Sequence, residues 1–394
     1  MEAIEILVNT SGFAALTWRI LVMYAIGGTL IFLAVRKNYE PLLLIPIGFG
    51  AILANLPFAA LSSVSDPSAA ALVPVVAGTA THGLPPLMQI IYDAGIRTEL
   101  LPPVVFLGIG ALTDFRPLLS RPITLLLGAA AQLGIFVAAL GAHYLLGFTA
   151  QEAASIGIIG GADGPTSIFL TSMLAPHLLG AVAVAAYSYM SLVPIIQPPI
   201  MRLLTTKKER AMDVPEAKEP SRTAVILFPI VTGLLSSLAV PSCAPLIGLL
   251  MFGNLLRESQ KTDRLSKTAG GPLINIITIF LGLVIGSTMS GTSFLQPTTL
   301  KILLLGAIAF GFSTAGGVLF AKVLNLFLPK AMRFNPCIGA AGVSAVPMSA
   351  RVVQDFVSKQ TDGKVNPLMA AMGPNVAGVI GTAVAAGAFL ALLR

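Results

Sequence analysis

The chain has 394 residues, of which 55% are hydrophobic and only 10% charged, with a mean hydropathy of +0.88. A water-soluble domain carries about 25% charged residues, so this composition excludes a soluble globule, and a disordered or collagen-like chain with it. The 24 Lys and Arg against 17 Asp and Glu leave +7. Membrane topology accounts for that excess, so the expected partner is a lipid bilayer with its anionic headgroups, and no nucleic acid. Cys243 and Cys337 sit in apolar or Pro-rich surroundings, make no disulfide framework or metal pattern, and read as inert packing residues. What remains is an all-α polytopic membrane protein.

Missing charges mark the spans, because a charge at the bilayer centre costs about 2.5–3.5 kcal/mol. No Asp, Glu, Lys or Arg occurs in 20–35, 41–65, 122–151, 164–201, 223–256, 268–300, 302–321 or 365–393. With about 20 residues per span, these runs hold about ten to eleven membrane segments, partial ones included. Pro176 divides the run 164–201, and Pro241 with Pro245 divides 223–256. Glu2 and Glu5 stand where a cleavable signal needs basic residues. Ten charges crowd into 202–222 and six into 257–267. Short Lys/Arg-rich segments stay cytoplasmic, which assigns the linker 205–222, the loop 257–267, and Arg36 with Lys37 to that side.

The chain repeats itself. LLLGA at 125–129 recurs at 303–307, and GADG at 161–164 recurs as GAAG at 339–342, both at an offset of 178 residues. FLGIG at 106–110 matches FLGLV at 280–284, and the segment at 41–50 loosely matches 245–253. The helix after Arg36 and Lys37 starts inside, whereas its mate at 244–256 ends at a basic loop, so equivalent helices point in opposite directions. The expected architecture is therefore an inverted repeat of the transporter kind: 1–204, the linker 205–222, and 223–394. Broken or re-entrant hairpins are expected at about 150–175 and 335–358.

The first hairpin reads GIIGGADGPTSIF, whose glycines and Pro165 cannot continue an ordinary helix. Asp163 sits at the break, followed by Thr166 and Ser167. An acid at membrane depth points to a cation ligand or proton carrier, and carbonyls, a carboxylate and hydroxyls together suit a hard monovalent cation. The alternative is an Asp that merely caps the next helix. The second hairpin reads NPCIGAAGVSAVPMSARVVQ, with Asn335, Gly339, Gly342, Ser344, Ser349 and Arg351. At the 178-residue offset, Asp163 faces Ala341 and Arg351 faces Met173. Arg351 and Asp163 are open to two readings, a structural ion pair or an Arg that clamps a substrate carboxylate. A third broken run, GPNVAGVIG at 373–381, carries Asn375, and Tyr187 and Tyr189 occupy the matching place upstream. Tyr187 reads equally as an interfacial anchor, and Tyr189 is the proton-relay candidate. His82, His143 and His177 lack metal-ligand spacing, and Asp114 with Arg116 reads as a helix-end pair. No Walker A motif, nucleophile elbow or HExxH is present.

GGADGPTSIF, NPCIGAAGVSAVPMSARVVQ and MGPNVAG together resemble the β subunits of the sodium-pumping, biotin-dependent decarboxylases of oxaloacetate, methylmalonyl-CoA, glutaconyl-CoA and malonate. The resemblance covers nearly the whole chain. It implies decarboxylation of carboxybiotin, carried on another subunit, coupled to outward Na+ transport and proton consumption in a bacterial or archaeal cytoplasmic membrane. It implies Asp163, Tyr189 and Arg351 as the residues carrying the reaction. Gly161, Asn335, Gly339, Ser344 and Asn375 join Asp163 in holding Na+, and Arg351 with Asn375 meets the substrate. Its partners would be a biotin carrier, a carboxyltransferase and a small single-span membrane subunit, with a homo-oligomer expected. No Met-Lys-Met biotinylation site occurs in this chain. The rival from another class is a Na+- or H+-coupled carboxylate transporter without chemistry, which the same repeat and hairpins would serve.

Overall fold

A computed structural model describes residues 11–37, 39–57, 87–212, 218–329 and 332–394. Glu2, Glu5, His82, the middle of the linker at 213–217 and the end of the run 41–65 lie outside them. Every regular element among the described residues is a helix. Seven helices are long and apolar enough to cross a membrane: Trp18–Lys37, Thr124–Leu146, Pro176–Leu204, Arg222–Ala239, Asp263–Ser287, Pro297–Phe327 and Leu368–Leu393. An eighth span is possible as a pair, Leu87–Arg97 and Leu101–Leu112, bent by 64°.

The sequence reading counted about ten to eleven segments because it included partial ones, and two of these are shorter helices. Pro41–Ala54 and Ala244–Glu258 have 14 and 15 residues, short of the roughly 20 needed to span. The predicted breaks are real. Pro176–Leu178 and Pro241–Cys243 are 3-10 turns that separate helices, because proline lacks the N–H to continue the ladder and restricts the residue before it. Pro41–Ala54 packs on Ile274–Ser287, and Leu101–Leu112 packs on Ala244–Glu258. Glycines let the latter pair touch backbone to backbone: a Cβ on Gly110 or Gly253 would run into the facing helix's carbonyls.

Two hairpins dip into the core from opposite ends. The first enters as Ala150–Gly157, tightens to a 3-10 turn at Ile158–Gly161, and returns as Gly164–Leu174. A capping box between Thr149 and Glu152 starts it. Its two feet are joined where His177 Nε2 meets Glu152 Oε1 at 2.8 Å. The second begins as a 3-10 helix, Pro336–Gly342, crosses an irregular tip, and leaves as Met348–Gln360. Its feet are joined through Arg210 of the linker. The Arg210 carbonyl accepts from Asn335 Nδ2 at 2.8 Å, and its guanidinium donates to Gln360 Oε1 at 2.8 Å. Arg210 is buried without a carboxylate partner among the described residues, and Thr205 Oγ1 and the carbonyls of Arg202 and Thr205 take its other protons.

The linker is stitched down further by Lys322 Nζ, 3.2 Å from Glu209 Oε1. Partial burial pushes the Glu209 carboxyl up, but the Thr206 N–H, the Thr206 hydroxyl and the Lys322 ammonium together hold it below its ordinary value. A depressed carboxyl stabilises the fold above its unfolded pKa and loses that contribution as pH falls through the lowered value. Glu209→Gln is therefore expected to cost under about 1 kcal/mol at pH 7. Thermal melts of wild type and variant converge below about pH 4, near the free carboxyl's range.

Asp114 and Arg116 are more than a helix-end pair. Arg116 Nη2 lies 2.5 Å from Glu258 Oε2, and Arg257 Nη2 lies 3.7 Å from Asp114 Oδ2, so the cluster ties the end of Leu101–Leu112 to the end of Ala244–Glu258. Cys243 and Cys337 are free and buried, as expected of packing residues.

Candidate functional site

The hairpin tips meet at Asp163. The chain reaches it through Ala162 in the left-handed region, φ 52°, and Asp163 then caps the returning helix, Oδ1 accepting from the Thr166 N–H at 3.0 Å. Its second oxygen, Oδ2, accepts from the Ser344 hydroxyl of the other hairpin at 2.8 Å, and the Ser344 N–H donates to Gly161 O at 2.8 Å. Asp163 is only 4% exposed, and no Lys, Arg or His pairs with it among the described residues. Asp163 thus caps the returning helix with one oxygen and meets the other hairpin with its second.

Asn375, fully buried on Leu368–Leu393, holds the second tip from behind. Its Nδ2 donates to Ala341 O at 3.0 Å, Val343 O at 2.7 Å and Ala345 O at 3.4 Å, leaving Oδ1 buried without a hydrogen bond. Thr166 Oγ1 and the Tyr187 hydroxyl are also buried and unbonded. A buried oxygen with no partner forfeits roughly 1–3 kcal/mol, and unsatisfied groups in native structures mark a missing water, ion or catalytic demand. Two of them, on Thr166 and Tyr187, belong to residues beside the uncompensated Asp163 carboxylate, and the third, on Asn375, belongs to the residue that braces the Ser344 tip. The donor set is all oxygen, as a hard cation requires.

The two tyrosines separate. Tyr187 packs its ring on Gly164, whose missing side chain makes the room: a Cβ there would sit 2.6 Å from the Tyr187 hydroxyl and inside the ring. Tyr189 points away, toward Gly306, and donates to Leu303 O. Tyr187, which sequence reading left as a possible interfacial anchor, is fully buried beside the Asp163 turn. The signal that finds it is small-residue spacing, a glycine directly after the aspartate.

The remaining expected residues divide. Gly161 contributes its carbonyl to Ser344, and a Cβ on it would lie 2.7 Å from Thr382 Oγ1. Gly339 lies against Gly317, backbone to backbone, and Asn335 caps its own helix by accepting from the Cys337 N–H at 3.0 Å. These two hold the second hairpin's foot and flank and do not touch Asp163. Arg351 is exposed, contrary to the expectation of a buried guanidinium, and forms no ion pair with Asp163. It shares a stripe with exposed Asp355 and Lys359 at four-residue spacing, while Val352, Val353, Phe356 and Val357 are buried. A charged stripe of that kind faces water and not hydrocarbon.

Two glutamines that sequence reading passed over brace the tips. Gln132, at the kink between Thr124–Ala131 and Leu133–Leu146, accepts from Thr382 Oγ1 at 3.0 Å and donates to Gly128 O at 2.9 Å. Gln197 donates to Ala340 O at 2.7 Å and exchanges hydrogen bonds with Ser349. No local pattern singles them out, because apart from Gly128 the partners named are 143 to 250 positions distant in sequence.

Comparison with known proteins gives a consistent result. Residues 19–393 match the family described as the Na+-transporting oxaloacetate decarboxylase beta subunit. The chain is 53% identical to the methylmalonyl-CoA decarboxylase subunit beta of Veillonella parvula, over 99% of this chain and 98% of that one. It is 52% identical to the glutaconyl-CoA decarboxylase subunit beta of Acidaminococcus fermentans, over 99% and 98%. It is 47% identical to the oxaloacetate decarboxylase beta chain of Klebsiella pneumoniae, over 99% of each.

Proposed function

The chain belongs to the family of Na+-transporting oxaloacetate decarboxylase beta subunits, and from that premise we propose that it decarboxylates carboxybiotin and uses the free energy to move Na+ across the membrane. The observation that carries the reading is the meeting of two re-entrant tips at a buried, uncompensated Asp163, surrounded by unbonded oxygens of Thr166, Tyr187 and Asn375. Na+, the cargo, is held there by the Asp163 carboxylate and the Ser344 hydroxyl. The hairpins enter from opposite ends and the flanking helices pack crosswise, 41–54 on 274–287 and 101–112 on 244–258. Both features support an inverted repeat of 1–204 and 223–394 joined by the linker 205–222, with the cation site between the halves.

The chemistry is brief. The bond between the carboxyl carbon and the biotin nitrogen breaks, carbon dioxide leaves, and the nitrogen keeps the electron pair and takes one proton. The exposed Arg351 stripe is where a carboxylate delivered from water is met, by a bidentate guanidinium. The biotin belongs to a carrier subunit, and a carboxyltransferase and a small membrane subunit complete the complex in the cytoplasmic membrane, basic linker and loop inside. Relatives of near-equal identity are beta subunits of methylmalonyl-CoA, glutaconyl-CoA and oxaloacetate decarboxylases, which supports assigning the choice of acyl substrate to another subunit.

The tyrosines give a test within the site. The Tyr187 hydroxyl makes no hydrogen bond, so Tyr187→Phe keeps the fold and raises the Na+ concentration for half-maximal activity several-fold, by one lost oxygen contact worth about 1 kcal/mol. Tyr189→Phe, with its hydroxyl on Leu303 O, lowers turnover and leaves that concentration unchanged. The transporter rival is tested by purification: recovery of the chain with a biotinylated partner and sodium-stimulated carbon dioxide release supports the decarboxylase. Sodium-coupled carboxylate uptake by the chain alone overturns it.

A further inference from the structure

Thr171 carries a fully buried hydroxyl that the site above does not use. A threonine inside a helix ordinarily returns its hydroxyl to the carbonyl four residues back, as Thr29, Thr278, Thr314 and Thr382 do here. Thr171 does not, and its Oγ1 has no partner at all. It shares a stripe of the returning helix with Asp163 and Ser167, at four-residue spacing. That places it about 12 Å along the axis from Asp163 at 1.5 Å per residue, in the direction of the first hairpin's feet.

At those feet lies a cavity of about 290 Å³ lined by Glu152, His177, Gly180, Thr288, Ser293 and Thr299, among others. Three spans put it on the face opposite the basic segments. Pro176–Leu204 and Pro297–Phe327 run from it toward the linker, and Asp263–Ser287 runs to it from the loop 257–267. Thr299 is 7% exposed and lines the cavity. Glu152 adds a carboxylate, which the Thr149 N–H and hydroxyl and the His177 ring hold in place. The unpartnered Thr171 hydroxyl therefore sits on the stretch of helix that leads from Asp163 toward an acidic, hydroxyl-lined chamber.

We propose that the returning helix of the first hairpin carries the exit route of the cation, a hydrated path from Asp163 past the Thr171 hydroxyl into the Glu152 chamber. It rests on the reading of Asp163 as the Na+ ligand, and the path takes a monovalent cation with its water. A buried hydroxyl without a partner, Thr171, satisfies such a passing ion, which explains why it is left free.

The test is access. In the assembled complex in sealed vesicles, Thr171→Cys reacts with a membrane-impermeant cationic thiosulfonate added on the face opposite the basic loops. Leu170→Cys, buried on the helix's apolar side, does not, and the wild type supplies the background of Cys243 and Cys337. Sodium transport then separates the chemistry. Thr171→Val lowers turnover on the order of 10-fold, the value of one lost hydrogen bond, at unchanged half-saturating Na+ on the loop side. Thr171→Ser restores it. Equal labelling of the two cysteines, no labelling at 171, or full turnover in Thr171→Val overturns the route. Labelling reports water at Thr171 whether or not Asp163 binds Na+, so the two readings fail separately.

Discussion

Asp163→Asn is expected to abolish sodium-stimulated decarboxylation and sodium transport in the reconstituted complex while leaving the fold intact. Asparagine is as good a helix cap as aspartate, so the Thr166 N–H keeps its acceptor. The Ser344 hydroxyl can donate to an amide oxygen as it now donates to Oδ2. What the substitution removes is the charge. At an effective dielectric of 20, two unit charges 4 Å apart attract by about 4 kcal/mol, which corresponds to nearly 10³-fold in affinity. The checks are sodium uptake by proteoliposomes beside a thermal melt: transport is lost and the melt moves by under about 2 °C, the shift of a sub-kcal/mol change. A variant that still pumps removes Asp163 from the cation site.

Gly339→Ala is expected to fail by a different route. Its Cβ would fall on the Gly317 carbonyl, and a Cβ on Gly317 would fall on the Gly339 carbonyl. Backbone sits on both sides of the contact, so no side chain can turn aside. Overpacking costs about 1–3 kcal/mol where neighbours can shift, and this contact belongs at or beyond the top of that range. The second hairpin separates from Pro297–Phe327, and the chain is recovered aggregated or with a melting temperature lowered by at least about 5 °C. Gly248→Ala is the control: nothing lies within 4 Å of its Cβ, and it gains helix propensity. If Gly339→Ala melts like wild type but loses sodium dependence, the residue is a ligand-site glycine and not a packing one.

Much of this architecture is visible in the chain because membranes punish charge and glycine–proline breaks stand out in apolar sequence. The Asp163 break, the Pro176 and Pro241 turns and the second hairpin's irregular tip follow from those two facts. What is not visible depends on contacts between distant residues. Tyr187 and Tyr189 are two positions apart on one helix, so they point to nearly opposite sides, and only packing against Gly164 distinguishes them. Asn335 looks like a ligand beside a break, yet its amide is spent on the Arg210 carbonyl, 125 positions away. Arg351 belongs to the second hairpin, which placed it inside, but Asp355 and Lys359 follow at four-residue spacing and turn that face outward. The helical period there was readable, and the hairpin reading obscured it.

The central claim is that Na+ sits where the two tips meet. A high-resolution density map of the assembled complex in sodium chloride, against one in choline chloride, tests it most directly. The account predicts a sodium-dependent peak bridging the Asp163 carboxylate and Ser344 Oγ, with Thr166, Tyr187 or Asn375 oxygens turned toward it. A map in which sodium appears elsewhere while Asp163 and Ser344 keep their direct hydrogen bond in both salts contradicts it.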